Sequence, residues 1–428
     1  MTTRRITCPP RRGSRREFLK ATTATAAATF AAPYVLTSTA LGAPDRAPAS
    51  ERIVMAGIGV GGQGSGDMRN MLGSRDTQYV AVCDVKTRAR DGAKNHVDGR
   101  YKNKDCKAYV DFREVLARDD IDAINCGTPD HWHAIVTITA CRSGKDVYCQ
   151  KPLTLTIAEG RAMVTAARRY GRVVSGGSQR VIGNYGRLAK DARSGIIGKV
   201  TEAWASVGGP SRPCYLGAQG DPKADGIDWD LWLGPAPWAP YHPYRCGRAY
   251  GLGGKGFRTW YDYSGGMMTD WGGHTFGGAL YGMGKLEAGP VEIIPPGKDN
   301  KLLTFVFADG AKLHHNGNPY GSNPCYKGTH GIVGRSVEGT GERTNEPIEF
   351  YAEGTRSIYA DFLHCVKTRQ RPFRDVERSH RTATVCHLGN IAYLLKRPLK
   401  WDPVKEEFPD DPEANRMRDR PKRGPWIL

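Results

Sequence analysis

The longest apolar stretch of the 428-residue chain, residues 21–36, is about sixteen residues long and falls short of the roughly twenty that a bilayer span needs. No membrane span is therefore expected. Although the chain has 11 cysteines, no Cys-x-x-Cys occurs, which argues against a cysteine zinc site. No internal repeat divides the chain, and its length allows two domains of ordinary size, each with its own core. Acidic residues are scarce: 44 Asp and Glu stand against 62 Lys and Arg, for a formal charge of +18. Residues 1–43 hold seven Lys or Arg and one acidic residue, which leaves +12 on the remainder. That excess favours anionic partners or acidic substrates weakly, through attraction that salt screens. The basic residues form no recognisable nucleic-acid module, so no nucleic acid partner is expected.

What the N-terminus does carry is Ser14-Arg15-Arg16-Glu17-Phe18-Leu19-Lys20 followed by that weakly apolar run. This reads as a twin-arginine signal, an address recognised by the Tat export machinery and no part of the fold. Small residues at Ser38, Ala40 and Ala43 offer a cleavage site, placing the mature start between Leu41 and Ser50. The expected location is periplasmic or otherwise exported, and the pathway implies folding before transport. Cys83, Cys126 and Cys149 sit near the ends of buried strand patterns, as small apolar residues do. Among Cys214, Cys246, Cys325, Cys365 and Cys386, one pair could be bridged in an oxidising compartment.

From residue 52 the pattern alternates strand and helix. Strands are expected at 52–58 (RIVMAGI), 79–83, 107–110, 123–126, 146–149 and 172–175. Helices are expected from about 65, at 112–117, 133–143 and 156–170. After Arg180 the texture changes to long Gly-, Pro- and Trp-rich connections, with strand-like runs at 201–207, 291–294, 302–307 and 311–315 and closing helices at 357–368 and 377–395. The expected fold is α/β: an N-terminal doubly wound parallel (Rossmann) sheet over 50–179, then a C-terminal α+β domain over 180–428 with an open, mostly antiparallel sheet. The charged, Pro-rich tail after Lys405 is expected to wrap the surface.

Gly59-Val60-Gly61-Gly62-Gln63-Gly64 fits G-x-G-x-x-G between a strand and a helix, and Asp84 ends the second strand twenty residues on. Gly59 permits the tight turn, Gly61 lets backbone approach a pyrophosphate, and Gly64 allows close helix packing. Gly62 and Gln63 complete the cofactor loop. Asp84 would accept hydrogen bonds from both ribose hydroxyls, which favours NAD; Lys86 and Arg88 leave NADP as an alternative. A second motif, Gly144-Lys145-Asp146-Val147-Tyr148-Cys149-Gln150-Lys151-Pro152, puts Lys151 at the C-terminal end of a parallel strand, where ligands bind in open α/β sheets.

With these motifs the chain resembles the Gfo/Idh/MocA family (glucose–fructose oxidoreductase, inositol dehydrogenase, rhizopine catabolism) from about Arg52 to the C-terminus. In that family a Glu-Lys-Pro motif supplies the catalytic lysine; here Gln150 replaces the Glu, beside Lys151. Thr128, Pro129, His131, Trp132 and His133 in Gly127-Thr128-Pro129-Asp130-His131-Trp132-His133 look like the family loop that contacts the cofactor near nicotinamide, and Gln150 and Lys151 would join that contact. No carboxylate completes a ligand set around His131 and His133, so no metal is expected. The segment 264–274 (SGGMMTDWGGH) is similar to the family's G-G-x-x-x-D-x-x-x-H, which carries Asp270 and His274 over as partners of the lysine, on one helix face at i, i+4. His274 would be the general base, Lys151 would stabilise the developing alkoxide, and Asp270 would orient the imidazole or bind a neighbouring hydroxyl. Thr275 and Gly277 replace a second His and an Asp that many relatives carry. A homo-oligomer is implied by analogy with the family.

Aromatic faces and planar Arg donors suit a hydroxyl-rich ring, which makes Gln179, Arg180, Trp229, Trp232, Arg258, Trp260 and Tyr261 candidate substrate contacts, together with His274. The expected activity is oxidoreduction at a secondary hydroxyl of a sugar, cyclitol or related polyol with NAD, or NADP, as cofactor. A redox-neutral glycosidase, lyase or epimerase on tightly bound NAD is the alternative, and a non-catalytic carbohydrate-binding protein with a relict nucleotide site is a third. Free NAD should be scarce outside the cytoplasm, so an exported protein of this kind would carry its cofactor with it.

Overall fold

The computed structural model describes residue 43 and residues 46–247, 256–344 and 349–428. The twin-arginine segment and the apolar run behind it lie outside the described residues. Among the described residues no helix is long and apolar enough to cross a membrane. Residues 52–428 form one compact unit that contains two sheets.

The first sheet is parallel and has six strands: β1 (Ile53–Ile58), β2 (Thr77–Cys83), β3 (Lys107–Tyr109), β4 (Ala123–Cys126), β5 (Asp146–Gln150) and β6 (Val174–Gly177), in the order β3-β2-β1-β4-β5-β6. That is the doubly wound Rossmann order, with its switch point between β1 and β4. Helices α1 (Gly62–Leu72), α2 (Thr87–Tyr101), α3 (Phe112–Leu116), α4 (Asp130–Arg142) and α5 (Ile157–Arg169) connect the strands. The inner strands β1, β4 and β5 are buried almost throughout because both faces are covered, whereas the edge strand β3 is largely exposed. Helix α5 opens on a capping box: Thr156 Oγ1 accepts the Glu159 N–H at 3.2 Å, and the Glu159 carboxylate accepts the Thr156 N–H at 3.2 Å.

After α6 (Gly186–Arg193) the second sheet begins with β7 (Val200–Ala205). The short helices α7 (Trp229–Leu233), α8 (Pro243–Cys246) and α9 (Met267–Asp270) and the longer α10 (Gly272–Gly282) lead to β8 (Glu292–Ile294), β9 (Leu303–Val306), β10 (Lys312–His315), β11 (Cys325–Gly328), β12 (Gly331–Val333) and β13 (Val337–Gly339). With β14 (Leu399–Lys400) they form eight strands in the order β13-β12-β11-β7-β10-β9-β8-β14. Only β7 and β10 pair in parallel; the other neighbours are antiparallel. The chain closes with α11 (Ile358–Thr368), α12 (Val376–Leu395) and α13 (Pro412–Arg416).

Several details differ from the sequence-based expectation. Helix α1 begins at Gly62, three residues earlier, because two glycines let the backbone enter the helix straight from the strand turn. Helix α2 has no apolar period; only Ala93, Val97 and Asp98 are buried, and Asp98 holds it by accepting from Lys94 and from the Cys106 N–H at 3.2 Å. Every cysteine among the described residues is a free thiol, so none of the five candidates is bridged: Cys386 lies in the core of the second sheet and Cys365 in a core of the first. Residues 358–428 are shared between the sheets, with Ile358 and Phe362 packing on the first and Leu388 and Ile391 on the second. The tail does more than wrap the surface. Phe408 and Ala414 are fully buried, and Trp426 packs edge-on against Trp132 with ring centroids 4.7 Å apart and beside Phe112 at 6.0 Å. Trp426→Ala empties that aromatic site and should cost about 3 kcal/mol or more in urea unfolding, far beyond the effect of a surface substitution; an unchanged midpoint would contradict this docking.

Candidate functional site

A cleft of about 420 Å³ opens at the C-terminal ends of β1 and β4. One wall is the glycine turn and the end of β2; Leu231, Trp232, Cys246, Phe257 and Arg258 from the second half of the chain form the other. Gly59 has φ +73°, and a Cβ there would lie 2.4 Å from the Thr128 nitrogen. A Cβ on Gly64 would lie 1.9 Å from the Gly59 carbonyl oxygen, so this residue must be glycine for helix and turn to pack. At Gly61 the protein itself sets no such limit, since a Cβ would meet nothing closer than 3.7 Å. Open space in front of Gly61 is what an approaching pyrophosphate requires. As N-cap, Gly61 offers no side-chain acceptor, and the first turn of α1 carries no acidic residue. Its amide groups and dipole are left to a ligand anion. Asp84 is held in place by the Gly61 N–H on Oδ2 at 3.1 Å and the Lys86 N–H on Oδ1 at 2.9 Å. The residues present thus fit a dinucleotide, with Gly59, Gly61, Gly62, Gln63 and Asp84 all lining the cleft. The Lys86 ammonium donates to the Cys246 carbonyl at 2.8 Å and closes this end, while Arg88 is exposed outside it.

Lys151 follows the last residue of β5 and lines the same cleft. Its Nζ donates to Asp270 Oδ1 at 2.8 Å, and Arg258 Nε donates to the same oxygen at 2.8 Å. Asp270 is fully buried; burial pushes its carboxyl pKa up, but Lys151 and Arg258 together hold it below the usual range. Gln150 Oε1 accepts the Lys151 N–H at 3.1 Å, so the amide that replaces a carboxylate here fixes the lysine backbone. His274 is buried, and burial with the nearby Lys151 charge pushes its pKa down to about 3 while Asp270 opposes the shift. Its imidazole is neutral at any working pH, and Nδ1 has no hydrogen-bond partner. Asp270 and His274 do not share one continuous helix: α9 ends at Asp270 and α10 starts at Gly272, with the break at Trp271. Among the described residues no hydrogen bond joins the two side chains, so the carboxylate orients the lysine and not the imidazole.

The structure does not bring every expected contact into the cleft. Thr128, Pro129 and Trp132 line it, but the Trp132 indole is tied to the Leu231 carbonyl at 3.0 Å. His131 Nε2 lies 3.0 Å from the Trp232 carbonyl, and burial pushes the pKa of this ring to about 4. His133 faces the Pro152 and Thr128 carbonyls at 2.7 and 2.9 Å, bracing the lysine loop against the cofactor loop. Neither histidine lines the cleft. Arg180 stacks over Trp271 at 5.0 Å and Gln179 is half-buried, and neither lines the cleft. Trp260 donates to the Tyr244 carbonyl at 3.0 Å, and Tyr261 lies under Arg420 at 3.6 Å in a separate pocket. Trp229 stacks on Trp232 at 4.9 Å, and of that pair only Trp232 reaches the cleft. The residue that sequence reasoning missed is Asp130, whose only signal is its place as the first residue of α4 after Pro129. It lines the cleft 2% exposed; burial pushes its pKa up to about 7, the Asp270 charge adds to this, and Arg258, Ser264 and Lys151 oppose it. The unfolded chain loses that proton near pH 3.8 and the folded chain near 7, so stability falls as pH rises between these values. Asp130→Asn should flatten this part of the urea-unfolding curve against pH and be more stable than the parent above pH about 7; identical slopes for the two proteins would refute the buried acid.

Comparison with known proteins covers both sheets. The Listeria innocua NAD-binding protein superposes with a TM-score of 0.55 at 17% identity, over 82% of this chain and 99% of that one. The WlbA dehydrogenase of Bordetella pertussis, solved with NADH and UDP-GlcNAcA, does so at 0.54 and 14%, over 82% and 99%. At these identities the likeness shows the fold alone. Among curated proteins, the alpha-N-acetylgalactosaminidase of Shewanella oneidensis is 31% identical over 172 residues, and a glycosyl hydrolase family 109 protein of another Shewanella strain is 30% identical over 169. Each match covers 36% of this chain and 37% of the relative, little more than a third of its length. Residues 52–178 match the oxidoreductase family's NAD-binding Rossmann fold and residues 216–428 its C-terminal alpha/beta domain. With cradle, lysine and both family regions in place along one chain, the protein belongs to the Gfo/Idh/MocA oxidoreductase family.

Proposed function

We propose that the chain is an exported, NAD-dependent oxidoreductase acting on a secondary hydroxyl of a sugar, cyclitol or related polyol, with its cofactor tightly held. The observation that carries this reading is Lys151, placed beside the dinucleotide cradle with its ammonium fixed by the buried Asp270 carboxylate. Bound NAD would supply the two-electron acceptor. Lys151 then donates a hydrogen bond to the reacting oxygen and offsets its charge as the proton leaves. Neutral His274 is the base that the family resemblance implies for that proton; its Nδ1 is buried without a partner, and His274 lies outside the residues that line the cleft. The proton is disfavoured on His274 by Lys151 and favoured by Asp270. Its transfer becomes easier when the lysine charge is spent on the oxygen. The twin-arginine segment supports export of a folded, cofactor-loaded protein.

A second reading is supported by the curated relatives named as glycosidases. Oxidation of a ring carbon acidifies its neighbour, elimination or epimerisation follows, and the electrons return to the ring with no net redox change. Asp130, which keeps its proton up to about pH 7, supports this reading as a second acid in the cleft.

Lys151→Ala should lower turnover at least roughly 100-fold while the nucleotide released on denaturation, identified by mass, stays at the parent level. Full turnover in that variant would refute the assignment. With the parent enzyme, a panel of sugars, cyclitols and N-acetylated glycosides separates the readings. Reduced nicotinamide accumulating in step with product supports the dehydrogenase, and product formed without added NAD and without net reduction supports the closed cycle.

A further inference from the structure

Residues 226–246 form a loop whose two ends meet at Lys86, in the turn between β2 and α2. At its start Ile227 bridges Lys86 in antiparallel register: the Thr87 N–H donates to the Gly226 carbonyl at 2.9 Å, and the Asp228 N–H donates to the Val85 carbonyl at 3.0 Å. At its end the Lys86 ammonium donates to the Cys246 carbonyl at 2.8 Å. Between these points the loop is fastened to α4 and to the tail. The Trp132 indole N–H is shared between the Leu231 and Trp232 carbonyls at 3.0 and 3.2 Å. Arg423 donates to the Gly234 carbonyl at 2.9 Å and to the Asp230 carboxylate at 2.6 Å.

These anchors stand on either side of β1. Lys86 follows β2, Trp132 follows β4, and β1 lies between those two strands in the sheet. The loop therefore passes over the C-terminal end of β1 and its glycine turn, the crevice where a parallel sheet holds a dinucleotide. It supplies Leu231, Trp232 and Cys246 to the cleft wall. Its apolar side chains also form a small core of their own, in which Ile227, Trp232, Leu233, Tyr241 and Cys246 pack together apart from the cores of the two sheets. Segments with a separate core, held at their edges by hydrogen bonds, open as cooperative units.

We propose that residues 226–246 are a strap that holds a dinucleotide in the cleft and must part from residues 85–87 to admit or release it, with Lys86 as the positioning residue that keeps the strap shut. The proposal rests on the reading above that the cleft carries NAD. Asp84 and Lys151 line the same cleft as the strap, so a dinucleotide reaching from one to the other has the strap across it.

The test uses the full chain loaded with NAD. Protein mixed with excess isotopically labelled NAD is gel-filtered at intervals and denatured, and the ratio of old to new nucleotide is read by mass. Exchange should be at least about tenfold faster than in the parent both in Lys86→Met, which keeps the stem and loses the donor, and in Arg423→Met, which frees the strap from outside the cleft. A variant that does not fold is replaced by Asp230→Ala, which cuts the Arg423 ion pair at an exposed position. Equal exchange in parent and variants, even with a lowered unfolding midpoint of the nucleotide-free protein, makes these residues merely structural and overturns the strap while the oxidoreductase reading stands. Acceleration confined to Lys86→Met marks a direct contact with the nucleotide and overturns it as well. Acceleration in both variants, with no polyol or glycoside turned over by the parent, upholds the strap and removes the proposed reaction. A parent that retains no labelled NAD overturns both.

Discussion

The site depends on one buried carboxylate. Asp270 accepts Lys151 and Arg258 on a single oxygen, and Lys151 and Asp270 are 119 residues apart in sequence. Two cations sharing one fully desolvated anion make a cluster in which no member is easily removed. Loss of one partner from such a pair leaves an uncompensated charge and typically costs about 3–5 kcal/mol. The same contact joins the end of β5 to α9, so the lysine of the first sheet is aimed by a residue from the second half of the chain. Elsewhere α12 packs against both sheets, and Trp426 of the tail joins the apolar core of the first.

Around that carboxylate the protonation states diverge from ordinary values in a coordinated way. Asp270 remains ionised because two cations face it. Asp130, which lines the cleft, is pushed toward its neutral form by burial and by the Asp270 charge. His274 is kept neutral by burial and by the lysine. Low dielectric acts on all three, and the sign of the nearest charge decides which way each moves. Of these groups Asp130 and Lys151 line the cleft, while Asp270 and His274 are buried outside its lining.

Much of this was legible before any coordinates. Strand, glycine turn, helix and Asp84 are consecutive in sequence, so their geometry follows from local rules, and Gly59 and Gly64 stand where turn and helix packing forbid a side chain. Lys151 was legible because strand ends carry the ligands of parallel sheets. A His-Trp-His run beside a cofactor loop looks functional in sequence, yet neither histidine lines the cleft: His131 Nε2 faces the Trp232 carbonyl, and both His133 nitrogens face the Pro152 and Thr128 carbonyls. Trp260 and Tyr261 misled for a similar reason, since an aromatic residue serves packing and recognition equally well. Asp130 could not be seen, because nothing in Pro129-Asp130 says that the carboxyl will be buried beside another.

By itself the sequence determined the fold class, the nucleotide cradle and the position of the lysine. Each is set by contacts within a few tens of residues: apolar runs, turn glycines and the spacing from strand to acid. Tertiary structure alone decided that Asp270 clamps Lys151 with Arg258, that His274 stays neutral, that Asp130 keeps a proton and that Trp426 reaches Trp132. Those outcomes rest on desolvation and on charges brought together from distant parts of the chain, and both exist only once the chain has packed.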